Sequence, residues 1–422
     1  MKTENNKSKK FILYIAFHFP PILGSSGVHR TLAFVRWLQS ADWQVTVLSA
    51  SLKAYIKWDA SQLDFIPEGV KVERTYARDV AQHYSFRGRY TKWMAIPDRW
   101  QSWIPSGIIC GLANILRKRP AVIVSTYPIA SAHIIGYVLH RLTGVPWIAD
   151  FRDPMVQDEY PRDPHVKKVF SWVEKKAVKH ASKIMFTCKG AIDFYQQRFP
   201  DAPEQLWQLV PNGYDEKMFE GATTTQCKNS GEIRLLHAGT IYPIERDPTL
   251  LFQALANLKN QGQIRKEQFK VILRATSHDH QYAPMLEQLK ITDLVTLEPA
   301  IPYKEALNEM LEVEALLLLQ AANCNFQVPA KAYEYIRAQK PILALTDEAG
   351  DTADVIKQSQ MAIIAPLDDV AKIELAIVSL IEKIRTDKLT VLPMAEIERF
   401  SRDKQAQRLA VIIDDVIGMQ EK

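Results

Sequence analysis

Residues 327–345 read Gln327-Val-Pro-Ala-Lys-Ala-Tyr-Glu-Tyr-Ile-Arg-Ala-Gln-Lys-Pro-Ile-Leu-Ala-Leu345 and predict a loop, a short helix and a buried strand. Lys331 falls in the first helical turn, and Glu334, three residues later, lies on the same helix face. The unpaired amides at a helix N-terminus suit a diphosphate, and one carboxylate can accept from both hydroxyls of a ribose. The segment is therefore predicted to hold a sugar nucleotide.

Short apolar runs alternate with helical patterns on both sides of this segment. The predicted strands are 11–17, 44–48, 70–74, 121–125, 146–150, 183–186, 208–210, 233–237, 270–274, 295–297, 315–319, 341–345 and 361–365. The predicted helices between them are 28–39, 106–118, 130–143, 165–181, 190–199, 248–261, 282–289, 303–309 and 352–358. Because the strands are continuously apolar, we expect parallel sheets covered by helices. The fold class is α/β, with two Rossmann-like doubly wound domains.

The domain boundaries follow from composition. Residues 221–231 have no hydrophobic periodicity and are predicted to link a first domain at 1–220 to a second at 232–393. Strand C-termini of both domains are expected to face a cleft between them. Residues 394–422 carry one amphipathic helix, with its apolar side chains at Phe400, Leu409, Ile412, Ile413 and Val416. That helix either packs on its own domain or, as we predict, crosses back to brace the first.

Composition is that of an ordinary globular chain. The 422 residues are 47% hydrophobic and 24% charged, with 53 basic and 48 acidic side chains, a net charge of +5. This mild excess permits anionic small ligands or a peripheral membrane contact, and no nucleic-acid partner is predicted. The apolar run at 11–19 is too short to span a membrane. The four cysteines form no Cys-x-x-Cys pair, so we expect neither zinc nor disulfides, and a cytoplasmic location.

A turn rich in glycine and serine follows the first predicted strand and opens a helix. Residues 20–30 read P-P-I-L-G-S-S-G-V-H-R. Gly24 and Gly27 let the backbone approach a ligand, and either serine between them can cap the helix. The spacing is not that of a dinucleotide site. With His29 and Arg30 following, we expect a polar wall facing a ligand rather than a plain turn.

Charged side chains end another predicted strand. Residues 147–154 read W-I-A-D-F-R-D-P, so that Asp150, Arg152 and Asp153 emerge at the carboxyl edge of the sheet. These groups could hold sugar hydroxyls or serve as a base. The alternative is an internal ion pair that pins the loop, and we favour the functional interpretation.

An aromatic cluster lies between these two motifs. Residues 97–105 read P-D-R-W-Q-S-W-I-P, and Tyr90, Trp93 and Met94 precede them. Tryptophan suits both sugars and lipid–water interfaces, so the cluster could cover an acceptor. Buried packing of the loop is an equally good interpretation.

A fourth motif leaves the first strand of the second domain. Residues 237–248 read H-A-G-T-I-Y-P-I-E-R-D-P. Gly239, with Thr240 beside it, gives room for a phosphate, and Arg246 sits where cation and helix dipole act on one anion. Arg274, at the end of the neighbouring strand, is a second candidate cation. Arg246 could instead pair with the aspartate that follows it, but we favour phosphate.

Together these motifs resemble the retaining glycosyltransferases of the GT-B fold, in the large family 4 group of bacterial polysaccharide enzymes. The similar stretches, in chain order, are P-P-x-x-G-S-S-G-V-H-R, P-D-R-x-x-x-W-x-P, D-F-R-D-P, G-T-x-Y-x-x-x-R-D-P and P-x-K-x-Y-E-Y-x-x-A-x-K-P-I-L-A. The resemblance covers nearly the whole chain. It implies transfer of a sugar from a nucleoside diphosphate sugar to a glycan or lipid-linked acceptor in cell-surface polysaccharide biosynthesis. The location would be cytoplasmic, either free or at the inner face of the membrane.

The resemblance also implies roles for individual residues. Glu334 matches the second acid of a Glu–seven residues–Glu motif and would hold the ribose. Arg246 and Lys331 would face the donor diphosphate as catalytic groups. Asp150 stands where many relatives have a histidine near the reacting sugar. The first acid of the motif falls on Phe326, so the usual contact to the donor sugar is missing or is made by a sequence neighbour, Asn325 or Gln327.

The remaining expected site residues line the two sides of the reaction. On the donor side these are Gly239, Thr240, Arg274, Gly24 and Gly27, and on the acceptor side His29, Arg30, Arg152 and Asp153. The expected chemistry is retention by same-face attack, with the leaving diphosphate stabilised by cations and helix amides. No metal or other cofactor is expected, because the second half of the chain has no Asp-x-Asp. A nucleotide-sugar epimerase and a non-catalytic scaffold that binds a partner transferase are the alternatives.

Overall fold

The protein is described here by a computed structural model covering residues 10–24, 26–158, 160–221, 231–386, 388 and 390–419. The chain divides into two units, Met1–Pro211 with Arg402–Lys422, and Asn212–Ser401. The predicted boundary at 220 thus shifts to 211, and the last helix alone returns to the first unit. Most of the predicted linker at 221–231 lies outside the described residues.

The first unit is a parallel sheet with helices between its strands. The strands are β1 (Phe11–Ile15), β2 (Gln44–Ala50), β3 (Lys71–Thr75), β4 (Val122–Thr126), β5 (Trp147–Arg152), β6 (Lys183–Phe186) and β7 (Trp207–Leu209). The helices are α1 (Ser26–Ser40), α2 (Val80–His83), α3 (Trp103–Arg117), α4 (Ala130–Thr143), α5 (Pro164–His180) and α6 (Lys189–Arg198). The strand order β3-β2-β1-β4-β5-β6-β7 reverses direction between β1 and β4, where ligands bind in open α/β sheets.

The second unit repeats this architecture with six parallel strands. The strands are β8 (Ile233–Ala238), β9 (Phe269–Arg274), β10 (Val295–Glu298), β11 (Ala315–Gln320), β12 (Ile342–Thr346) and β13 (Ala362–Ala365). The helices are α7 (Glu216–Phe219), α8 (Thr249–Asn260), α9 (Asp279–Gln288), α10 (Tyr303–Glu312), α11 (Ala330–Ala338), α12 (Asp351–Lys357), α13 (Val370–Arg385) and α14 (Met394–Ile397). The order β10-β9-β8-β11-β12-β13 places its reversal between β8 and β11. Helix α13 has no counterpart among the predicted helices.

A last helix, α15 (Arg402–Gly418), packs on α1 in the first unit. Leu409 and Ile413 are fully buried in the same core cluster as the residues of β1 and β2. The prediction of a single helix over 394–418 is wrong, because the chain is extended at Ser401 and a new helix begins after it. Ser401 pairs with Tyr214 as an isolated parallel bridge, and this pairing ends the helical run that precedes it.

The prediction that Phe400 lies on the apolar face of this helix is also wrong. Its ring belongs to the second unit, where it lies 6.3 Å from the ring of Tyr333 between centroids. It therefore does not share an apolar face with Leu409 and Ile413. Among the described residues, no helix is both long and apolar enough to cross a membrane.

We predict that α15 is an integral part of the first unit's core. Leu409→Ala and Ile413→Ala should each lower the free energy of unfolding by about 2–5 kcal/mol, because each leaves a cavity among buried side chains. Urea unfolding followed by circular dichroism measures this. Val411→Ala, on the same helix but 69% exposed, is the matched control and should change stability by less than about 0.5 kcal/mol. Equal losses in all three variants would contradict the assignment.

Candidate functional site

The turn after β8 brings the backbone close to a lysine side chain. Gly239 has φ +112, a conformation that residues with a side chain rarely adopt. A Cβ atom at this position would lie 3.4 Å from Nζ of Lys331, at the start of α11. The glycine therefore leaves open space beside the ammonium group, as the sequence motif predicted.

The ammonium of Lys331 is held by a histidine at the end of β8. Its Nζ lies 3.1 Å from Nε2 of His237, and Nδ1 of His237 lies 3.0 Å from the carbonyl oxygen of Leu317 in β11. The tautomer that satisfies both contacts carries its proton on Nδ1 and accepts from Lys331 at Nε2. Burial, and then the charge of Lys331, hold the pKa of His237 well below its ordinary value, which keeps the ring neutral.

The same surroundings lower the pKa of the Lys331 ammonium. Burial, and then the nearby charge of Arg246, lower the pKa of Lys331 to about 7, while Glu334 acts in the opposite direction. A desolvated ammonium with a neutral partner is stabilised by any anion that comes within reach. This arrangement is suited to a phosphate.

Arg246 supplies a second cation in the same turn. Its Nη1 donates to the carbonyl of Thr240 at 3.2 Å, and its guanidinium lies over the ring of Tyr242. Its Nε is buried without a hydrogen-bond partner among the described residues. The alternative pairing with Asp247 is not observed in this part of the chain, since Asp247 instead accepts from the amide and hydroxyl of Thr249 at the start of α8.

Glu334 lies one turn along α11 from the lysine. It is 8% exposed, and its Oε1 accepts a hydrogen bond from the hydroxyl of Tyr303 at 2.7 Å. The hydroxyl of Tyr335, on the same helix, accepts from the amide of Ala238 at 3.2 Å and so ties α11 to the end of β8. The sequence motifs did not single out His237 or Tyr303. A polar side chain at the carboxyl end of the strand I-R-L-L-H-A is a signal that could have found the histidine.

Arg274, predicted as a further phosphate ligand, has protein partners instead. Its Nη2 donates to Glu309 at 2.7 Å and its Nη1 to the carbonyl of Pro299 at 2.8 Å. These contacts account for the side chain without any ligand. Thr240, beside Gly239, is half-buried, and its hydroxyl lies 3.4 Å from that of Ser277.

The loop before α11 holds the position where the first acid of the family motif would stand. Phe326 is 36% exposed there. Nδ2 of Asn325 donates to Asp347 at 2.6 Å, and its Oδ1 is buried with no hydrogen-bond partner in the described part of the chain. Of the two sequence neighbours that could replace the acid, Asn325 thus already uses its amide nitrogen on Asp347. For Gln327, the observed contact is at the backbone carbonyl, which accepts from the hydroxyl of Thr352 and leaves the side chain uninvolved in that bond.

A cavity of about 410 Å³ lies near this loop but does not include the lysine or Glu334. It is lined by Ile244, Asp247, Leu250, Gln320, Ala321, Ala322, Asp347, Pro366, Leu367 and Asp368. No cation is among these residues, so the cavity is less suited to a diphosphate than the turn at Gly239.

In the first unit, Asp150 forms a buried ion pair. Its carboxylate is fully buried, 3.3 Å from Nη2 of Arg30, and accepts from the hydroxyl of Thr126 at 2.9 Å. Arg30 also donates to the carbonyls of Val210 and Pro211. Burial and these partners favour the internal ion pair over the functional interpretation, although the partner is Arg30 and not Arg152.

The next residues turn back sharply after β5. Arg152 has φ +63 at a register shift in the sheet, and its Nη1 donates to the carbonyl of Tyr127 at 3.0 Å. Burial, and then the charge of Arg152, lower the pKa of His18 to about 4. Burial also raises the pKa of Asp153, which accepts from Thr187 at 3.3 Å. A non-glycine residue in the left-handed region is uncommon and is often found at functional sites.

The glycine turn and the aromatic cluster complete this unit. Gly24 has φ +81 with open space around its missing Cβ, Gly27 is buried in α1, and His29 is half-buried behind it. Ser25, one of the two predicted caps, lies outside the described residues. Trp103 is fully buried, and the ring of Trp100 packs against that of Phe17, with 4.7 Å between centroids, which supports loop packing for these two. Trp93 and Tyr90 are exposed.

The site residues therefore form two clusters, one in each unit. Gly239, Thr240, Arg246, Lys331 and Glu334 belong to the second unit, and Gly24, Gly27, His29, Arg30, Asp150, Arg152 and Asp153 to the first. No group of three or more His, Cys, Asp or Glu residues among those described could hold a metal ion.

Comparison with known proteins gives the following similarities. Residues 26–213 match the family model described as a glycosyl transferase 4-like domain, and no curated protein matches the chain in sequence. Sucrose-phosphate synthase from Thermosynechococcus elongatus is similar in structure, with a TM-score of 0.70 and 13% identity over 97% of this chain and 100% of that one.

Two further solved structures are similar over both units. Trehalose 6-phosphate synthase from Burkholderia multivorans has a TM-score of 0.61 and 13% identity, over 98% of each chain. Anabaena HepE in complex with UDP-glucose has a TM-score of 0.59 and 13% identity, over 97% of this chain and 99% of that one. At such identities the similarity establishes the fold.

We predict that Asp150 is a structural residue. Asp150→Asn should lower the free energy of unfolding by about 3–5 kcal/mol, because it leaves Arg30 buried without its counter-charge. Thermal or urea unfolding checks this, with the exposed Asp158→Asn as the matched control on the same loop. Wild-type stability of Asp150→Asn would instead return the carboxylate to the role near the reacting sugar that the family resemblance implies.

Proposed function

We propose that this chain transfers a sugar from a nucleoside diphosphate sugar to a glycan or lipid-linked glycan. Its fold is that of the GT-B glycosyltransferases, and residues 26–213 match the glycosyl transferase 4-like domain model, which supports the proposal. The observation that carries the proposal is the Lys331 ammonium, held by a neutral His237 beside the open backbone at Gly239.

The donor diphosphate would bind at this turn. Lys331 and Arg246 supply two cations, and the amides of Ala330 and Lys331 open the first turn of α11, whose N-terminus has no side-chain cap among the described residues. A diphosphate bound there replaces the water that the ammonium has lost on burial. The binding mode is supported by the lowered pKa of Lys331, since an anion is what restores the charged form.

Glu334 would hold the ribose of the nucleotide. Its Oε1 already accepts from Tyr303, and a carboxylate retains acceptor capacity for two ribose hydroxyls. A UDP-glucose complex is known for the similar HepE, which supports a UDP-sugar as the first donor to test.

The proposed reaction breaks the bond between the sugar anomeric carbon and the diphosphate oxygen. The acceptor hydroxyl attacks from the same face, and its proton passes to the leaving diphosphate, which gives retention. Lys331, Arg246 and the α11 amides stabilise the charge that develops on the leaving group. We propose no metal, since these groups supply positive charge where other enzymes use a cation.

The acceptor would bind to the first unit, near His29 and the turn at Arg152 and Asp153. These residues lie at the carboxyl ends of the strands, where α/β sheets bind ligands. We propose a role in cell-surface polysaccharide biosynthesis, in the cytoplasm or at the inner face of the membrane.

One alternative has a specific observation in its favour. Phe326 replaces the acid that contacts the donor sugar, and the neighbouring Asn325 amide is engaged by Asp347. A non-catalytic scaffold that binds a partner transferase would tolerate this loss. A thermal-shift screen with UDP, GDP and ADP sugars discriminates, because a scaffold should not be stabilised by any of them, whereas the transferase should be stabilised by its donor.

We predict that Glu334→Ala weakens binding of the stabilising nucleotide sugar roughly 10- to 150-fold. Hydrogen bonds to a charged group contribute about 1.5–3 kcal/mol, which corresponds to this range. Isothermal titration calorimetry measures the change, and Glu348→Ala, on an exposed carboxylate of the same unit, is the control and should bind as the wild type does. Near-normal affinity in Glu334→Ala would remove the ribose assignment.

We also predict that donor affinity falls as pH rises through about 7. Below that pH the Lys331 ammonium is already charged; above it the free protein holds a neutral amine, and binding the anion must take up a proton. Calorimetry in buffers of different ionisation enthalpy should show this uptake. Lys331→Arg, which stays charged, should bind with little pH dependence. A pH-independent wild type would contradict the role of Lys331.

A further inference from the structure

An exposed hairpin projects from the first unit between α2 and α3. We call residues 84–93 the aromatic hairpin. The amide of Phe86 donates to the carbonyl of Arg89 at 2.8 Å, and the Arg89 amide donates back at 3.0 Å. Arg87 and Gly88 between them both have positive φ, the geometry of a tight two-residue turn. The tip is thus a defined structure with an aromatic residue at its end.

Large aromatic side chains on this hairpin are left in solvent. Phe86 is 76% exposed and Trp93 69%, and Tyr84 and Tyr90 are also exposed. Residues 86–93 form an unbroken exposed run. Isolated exposed apolar residues are ordinary, but several aromatics on one projecting element indicate an interaction surface.

The exposed charged side chains of the aromatic hairpin are all basic. Arg87, Arg89 and Lys92 are exposed on it, and Arg87 lies over the ring of Phe86. Within residues 76–97 the only acid is Asp79, which is fully buried and paired with Arg99. Asp163 is an acidic residue near the hairpin. Hydrogen bonds from backbone amides lower its pKa most, and the charge of the nearby Lys92 lowers it further. The surface therefore favours an anionic partner.

The base of the hairpin is fixed to the rest of the unit. Nε of Arg99 donates to Asp79 at 3.0 Å, and the amide side chain of Gln101 donates to the carbonyl of Trp93 at 3.0 Å. The hydroxyl of Ser106, in α3, donates to the carbonyl of Tyr76 at 2.6 Å. Because the base is held, less of the backbone has to be ordered when the tip binds a partner.

We propose that the aromatic hairpin binds the surface of an anionic lipid bilayer. Phe86 and Trp93 enter the boundary between headgroups and acyl chains, where aromatic side chains are stable, and Arg87, Arg89 and Lys92 contact lipid phosphates. Exposed aromatic rings combined with exposed basic groups match both parts of that interface. The inference rests on the proposed function only in that a lipid-linked acceptor would place the enzyme at a membrane.

The test is co-sedimentation of the full chain with vesicles of phosphatidylcholine alone or mixed with phosphatidylglycerol. We expect binding to the mixed vesicles only, weakened by salt. Replacing Arg87, Arg89 and Lys92 with Gln should lower partitioning about fivefold for each side chain, equivalent to about 1 kcal/mol per basic group. Phe86→Ser with Trp93→Ser should also release the protein. Arg141→Gln with Leu142→Ser, an exposed basic and apolar pair on α4, is the matched control and should bind as the wild type does.

Several results would overturn the inference. These are equal sedimentation with both kinds of vesicle, equal sedimentation of hairpin variants and control, and loss of a dimer in the hairpin variants during analytical ultracentrifugation, which would assign the surface to a second copy of the chain. Binding of single-stranded oligonucleotide in place of vesicles would likewise contradict it. Nucleotide-sugar binding, measured in parallel, should be unchanged in every variant, so failure of this inference is distinguishable from failure of the transferase proposal.

Discussion

Nζ of Lys331 lies 3.1 Å from Nε2 of His237, and this contact is favourable only while the imidazole is neutral. Burial and then the charge of Lys331 keep the imidazole neutral, while the Leu317 carbonyl accepts a hydrogen bond from the Nδ1 proton and so fixes the tautomer. The pair therefore links β8, β11 and the first turn of α11 through one proton arrangement. Gly239 then decides what can reach it, because any side chain there would meet the ammonium.

The energetic consequence is that binding of an anion at this site is favourable. A buried ammonium with only a neutral partner has lost its water without a full counter-charge. Arg246 increases that deficit, and Glu334 relieves part of it. A diphosphate removes the deficit, and it does so most strongly as negative charge accumulates on the leaving group.

The first unit shows the opposite use of charge at a strand end. Asp150 and Arg30 satisfy each other, and Arg30 uses its remaining donors on the carbonyls of Val210 and Pro211. A fully paired, buried carboxylate has little to offer a substrate. The strained turn at Arg152, next in the chain, keeps its polar groups nearer the carboxyl edge of the sheet, and the expected acceptor contacts fit there better.

Hydrophobic periodicity in the sequence was sufficient to predict the fold class, which is confirmed, and most of the strands. The predicted strand 183–186, for example, coincides with β6. It failed where distant parts of the chain interact. The break at Ser401 depends on pairing with Tyr214, almost two hundred residues away along the chain. In the site, Lys331 and Gly239 were predicted because local motifs carry them, whereas His237 and Tyr303 were not, because their roles depend on side chains from other elements. Arg30 was placed with the acceptor because sequence does not report burial.

The central claim is that the turn at Gly239 and the first turn of α11 bind the donor diphosphate. A crystal structure of the full chain with a bound nucleoside diphosphate sugar tests this most directly. We predict diphosphate oxygens within hydrogen-bonding distance of Nζ of Lys331 and the guanidinium of Arg246, with the ribose on Glu334. A diphosphate bound in the cavity beside Gln320 and Asp347, or one that leaves Lys331 in contact with His237 alone, would contradict the account.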